Sequence, residues 1–127
     1  MVPGSAKIFS ALGSINAMLA VILGAFGAHG LKRMVTPDML AIFHTGVEYQ
    51  FYHALGLLAV GLLLLHHSAS AALKWSGWLM FSGVILFSGS LYLLVLTDER
   101  WLGAVTPVGG VAFILSWLLM IIAVLKT

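Results

Sequence analysis

The chain has 127 residues, of which 61% are hydrophobic and 8% charged, with a formal net charge of +2. Ordinary soluble domains carry roughly a quarter charged residues, so the composition excludes a water-facing surface, and six scattered basic residues exclude a nucleic-acid footprint. Cysteine is absent, which excludes disulfides, thiolate metal sites and a cysteine nucleophile.

The first apolar run covers residues 8–31, with Asn16 and His29 among its few polar interruptions. A bilayer core of about 30 Å needs roughly 20 helical residues, so a membrane helix is predicted over about residues 6–31. The run exceeds the roughly 7–15-residue apolar stretch of a signal peptide and is expected to remain as a span. Gly13, Ala17, Ala20, Gly24 and Gly27 recur at helical spacing and form one stripe. Small residues let membrane helices approach closely, so this stripe is expected to face another helix, either in the bundle or in a second subunit.

Thr36-Pro37-Asp38 reads as a helix start. Threonine caps, proline suits the first helical position, and aspartate suits the positive end of the helix dipole. The densest apolar stretch that follows, residues 51–65, spans only about 22 Å as a helix. The second helix, predicted over about residues 37–66, must therefore include the polar residues upstream. Its first turns are expected to lie obliquely in the membrane interface.

The third helix is predicted over about residues 74–97, with Trp75, Trp78 and Trp101 at belt positions. The fourth is predicted over about residues 104–126, with a start signal at Thr106-Pro107 after a short apolar turn. Gly109 and Ala112 give it a packing seam of its own, and Trp117, inside the span, is expected to pack rather than anchor. The fold class is thus all-α: one integral membrane domain, residues 1–127, forming a four-helix transmembrane bundle. Lysine and arginine divide evenly between the two faces, and His66-His67 tip the expectation toward cytoplasmic termini.

Ionisable side chains inside a membrane are costly and mark candidate sites. His29 ends the first run, and His44, Glu48, Tyr49, Gln50, Tyr52 and His53 enter the second. The connecting loop puts His29 on the same membrane side, so these groups are expected to converge near one face of the bilayer. One outcome is a ligand or proton site built on His29, Glu48, Tyr49, Gln50, Tyr52 and His53. The other is a hydrogen-bonded clasp between helices. No metal or other cofactor is expected, because His44 and Glu48 make a single ligand pair rather than a closed set. No nucleophile–base pair, phosphate loop or dinucleotide fingerprint is visible, so an enzyme is not expected.

Four motifs carry a family resemblance. They are Gly24-Ala25-Phe26-Gly27-Ala28-His29-Gly30-Leu31, the run Thr45-Gly46-Val47-Glu48-Tyr49-Gln50-Phe51-Tyr52-His53-Ala54-Leu55, then Phe87-Ser88-Gly89-Ser90-Leu91-Tyr92, and Thr106-Pro107-Val108-Gly109-Gly110. In that order they resemble domain of unknown function 423, also called uncharacterised protein family 0382, which is similar to transmembrane protein 256 of animals. The resemblance implies a small multi-pass inner-membrane protein and supplies no catalytic residue. The expected function is binding of a small molecule or lipid, or movement of a solute, at the polar cluster. A structural or assembly subunit of a larger membrane complex is the alternative. Expected partners are membrane lipid and a second copy or partner membrane subunit, with no nucleic acid.

Overall fold

Helix starts follow the local chemistry. Thr36 Oγ1 accepts a hydrogen bond from the Met39 N–H at 3.3 Å, with Pro37 and Asp38 in the first turn. Ser70 Oγ accepts from the Leu73 N–H at 3.2 Å and starts the third span. The computed structural model describes residues 1–126. Along them run α1 (Gly4–Ala28), α2 (Pro37–Leu64), α3 (Ala71–Gly83), a π-turn (Val84–Ser88), α4 (Gly89–Thr97) and α5 (Thr106–Leu125). Short 3-10 turns at Leu31–Arg33 and Arg100–Ala104 link the spans, so the apolar stretch before Thr106 is helical rather than an open turn. Asp98 closes α4 in the left-handed region, with φ 57°, while its N–H still reaches the Leu94 carbonyl at 2.8 Å. Aspartate is one of the few side chains that enters this region at modest cost.

The π-turn joins α3 and α4 into one span, so among the described residues four helices are long and apolar enough to cross a membrane. Their surface is inverted relative to a soluble fold. Val21, Leu62, Ile114 and Ile121 are exposed, while Asn16, Gln50, His53, Ser76, Ser88 and Ser116 are buried. Lipid rather than water suits that outer face. The protein is an integral membrane four-helix bundle.

α1 packs along α2 and barely touches the third span; α5 packs along α3. Close approach of α1 to α2 depends on two glycines. A Cβ at Gly13 would lie 2.7 Å from the Ala54 carbonyl oxygen and 2.8 Å from the Leu58 nitrogen. Gly61 in turn lies against Ser10 and the Ala6 carbonyl. Two apolar clusters fill opposite ends of the bundle. Phe9, Leu57, Leu64, Leu73 and Met80 pack at one end. Leu31, Met39, Phe43, Leu94 and Val95 pack at the other. The first turns of α2 are part of the core, because Met39 and Phe43 are buried in that second cluster. A layer of buried polar side chains lies between the two clusters.

Candidate functional site

The polar layer is organised around Gln50, midway along α2. Asn16, midway along α1, donates from Nδ2 to its own helix at the Leu12 carbonyl, 2.9 Å away. A carbonyl only accepts, so this bond fixes which end of the Asn16 amide is NH2. Asn16 Oδ1 is then free to accept from Gln50 Nε2 at 3.0 Å. Gln50 Oε1 in turn accepts from the Tyr92 hydroxyl at 2.6 Å. One backbone carbonyl thus orients a chain of hydrogen bonds across three spans. Each amide NH2 has two N–H groups, and these bonds occupy one on Asn16 and one on Gln50.

Tyr92 reaches Gln50 because Gly46 clears its path. A Cβ at Gly46 would lie 2.7 Å from the Tyr92 ring. The Gly46 carbonyl accepts from Ser88 Oγ at 2.6 Å, which ties the π-turn to α2 at the same level. Asn16 and Gln50 are each only 5% exposed. What exposure they keep opens into a groove of about 490 Å³ between α1 and the third span. Its walls are apolar and include Leu12, Ile15, Leu23, Val84 and Ile85, while Asn16, Gln50 and Tyr92 lie along it. The groove exists because α1 leans on α2 and leaves the third span uncovered.

His53 sits one turn further along α2 and belongs to a separate constellation. Its Nε2 lies 2.9 Å from Trp117 Nε1, and its Nδ1 lies 2.8 Å from the Tyr49 carbonyl oxygen. An indole N–H only donates, so Nε2 accepts, and the proton resides on Nδ1 and points at the carbonyl. The ring stacks on Phe113, with centroids 3.5 Å apart and planes 8° from parallel. Tyr49 packs on Phe87 of the π-turn with centroids 4.6 Å apart. Both ring nitrogens of His53 are therefore occupied within the bundle.

A family model described as Protein of unknown function (DUF423) matches residues 23–110. The UPF0382 membrane protein YwdK of Bacillus subtilis is 53% identical over 120 residues, covering 94% of this chain and 98% of that protein. The UPF0382 membrane protein SERP0230 of Staphylococcus epidermidis is 51% identical over 120 residues, with 94% and 97% covered. This chain belongs to the DUF423 family. No solved structure matches it.

In this DUF423 protein the residues singled out from the sequence do not converge at one membrane face. Gln50 and His53 point inward, in the middle of the bundle, while Glu48, Tyr49 and Tyr52 are exposed on the outside of α2. His29 is exposed beyond the end of α1, and no hydrogen bond joins it to Glu48 or His53. The reason is helical phase. Residues two apart on a helix point to nearly opposite sides, so Glu48 and Gln50 cannot share a site. In the small-residue stripe, Gly13, Ala20 and Gly27 are buried while Ala17 and Gly24 are half-buried. Gly109 is buried against the Phe87 backbone, and Ala112 is buried in α5.

Asn16, Ser88 and Tyr92 in the polar layer, and Trp117 beside His53, are not among the site residues expected from the sequence. Asn16 carried a usable signal. An amide inside a long apolar run needs a hydrogen-bond partner from another helix, and Gln50 is the matching amide.

Proposed function

We propose that this protein binds an uncharged amphipathic molecule from the lipid phase, in the groove between α1 and the third span. The observation that carries this is the pairing of Asn16 and Gln50 beside the groove, each with one N–H beyond those used inside the bundle. Two neutral donors in an apolar channel favour a carbonyl or ester oxygen. A charged group would meet no counter-charge there and would lose its hydration. The apolar walls suit an acyl or isoprenoid chain lying along α1. Binding rather than catalysis fits His53, whose two nitrogens are both engaged. The setting is the bacterial inner membrane, with both termini cytoplasmic.

Native mass spectrometry from mild detergent tests this directly. The parent should carry a retained lipid-like mass, and Gln50→Leu, held below its own lowered melting transition so that it is folded, should lose it. Equal retention by both proteins would overturn the assignment of Gln50 as the anchor.

A structural role as a packing subunit has one observation in its favour. Every buried side-chain polar atom among the described residues has a hydrogen-bond partner, as a pure clasp requires. Against it stands the use of Gly13 and Gly61 inside the α1–α2 contact, where they are not open to another subunit.

A further inference from the structure

The outer face of α2 poses a different problem from the groove. Glu48 is exposed, and Tyr52 is 52% exposed. Neither the Glu48 carboxyl nor the Tyr52 hydroxyl has a hydrogen bond or ion pair among the described residues. Their surroundings are apolar. A shallow hollow of about 300 Å³ beside them is lined by Ala20, Val21, Val47, Glu48, Phe51 and Tyr52. The hollow sets Glu48 level with Ala20 and Val21 of α1, about 12 Å along the helix axis from the end of α1 at Ala28. A glutamate side chain is too short to bridge that distance to the headgroups. Lipid offers no donor or acceptor in its place.

Glu48 and Tyr52 are four residues apart and lie on one face of α2. Both side chains lean toward the helix N-terminus, and the longer Tyr52 phenol reaches further back than the Glu48 carboxyl, which narrows the one-turn offset between them. One face thus presents an acceptor and a donor within about one helical turn of each other. Such a patch is complementary to itself. In a two-fold contact residue i of one copy meets residue j of the other, and j meets i.

We propose that the Glu48–Tyr52 face of α2 is the contact surface between two copies of this chain. Glu48 of each copy accepts a hydrogen bond from Tyr52 of the other, which leaves neither polar group facing hydrocarbon. A second copy fits better than an unrelated subunit because the same two residues supply both halves of the pairing. The groove between α1 and the third span is not part of this contact.

The chain has no cysteine, so single cysteines report proximity without background. Phe51→Cys, beside Glu48, should form a covalent dimer when membranes are treated with an oxidant. Ile114→Cys, on the lipid-facing side of α5 and 69% exposed, is the control and should not. Adding Glu48→Leu to Phe51→Cys should reduce cross-linking to the control level. Adding Glu48→Gln should preserve it, because the amide oxygen still accepts from Tyr52. Cross-linking of Phe51→Cys no greater than that of Ile114→Cys would overturn the proposal. So would full cross-linking in the presence of Glu48→Leu.

Discussion

Trp117 on α5 donates its indole N–H to Nε2 of His53 on α2, 2.9 Å away, and thereby assigns the imidazole proton to Nδ1. Trp117→Phe keeps an aromatic ring against His53 and removes the donor. Interhelical hydrogen bonds in membranes are worth about 1 kcal/mol, and the variant should lose about that much stability. Nitrogen NMR of labelled histidine should show the Nδ1–H tautomer in the parent and also in Trp117→Phe, where the Tyr49 carbonyl still accepts from Nδ1. A mixed population in the parent would contradict the assigned tautomer.

Gln50→Leu should be the more damaging change in the polar layer. It strips the Tyr92 hydroxyl and the Asn16 carbonyl oxygen of their partners at once. Leaving buried polar groups unsatisfied costs about 1–3 kcal/mol each. A melting temperature well below the parent's in mild detergent is expected, with Tyr92→Phe intermediate. Parental melting of Gln50→Leu would show that the layer contributes little to stability.

Gly13→Ala should disrupt the α1–α2 contact, because the new methyl would meet the Ala54 carbonyl and the Leu58 nitrogen, which are backbone atoms. Overpacking of this kind costs about 1–3 kcal/mol. Gly24→Ala should be tolerated, since its methyl would meet only a Val47 side-chain carbon at 3.4 Å. Thermal melts of the two variants side by side give the comparison. Equal destabilisation would mean that the stripe acts as a unit.

The four spans require both termini on one side and the loop around Asp98 on the other. Reporter fusions at the C-terminus and next to Asp98 should give opposite signals. A cytoplasmic signal is expected at the terminus.

The spans were legible in the sequence because lipid demands length and apolarity, and both can be counted. Thr36-Pro37-Asp38 marked the start of α2 for local reasons, and the Thr36 cap is present. Which side of each helix faces inward was much less legible. In a soluble helix the polar face marks the outside, but a membrane helix is apolar all round and its contrast is weak. Glu48 and Gln50 therefore looked like neighbours in one cluster, while Asn16 and Tyr92, distant in sequence, did not. Gln50 takes its partners from residues 34 and 42 positions away, separations that no local pattern encodes.

The π-turn at Val84–Ser88 has a consequence for how the third span serves two neighbours. α3 lies mainly along α5, with Ser76 bonded to the Ser116 carbonyl, whereas α4 lies along α2, with Tyr92 bonded to Gln50. A rod of constant pitch carries a single contact stripe along its length. The widened turn takes up about one extra residue, which rotates everything after it by about 100° relative to an unbroken helix. It works as a phase shifter that lets one rod address α5 before the turn and α2 after it. Tightening the turn to regular α pitch with every residue kept would swing Tyr92 away from Gln50 without altering any side chain of the polar layer. Removing one residue together with the widening would instead leave Tyr92 where it is.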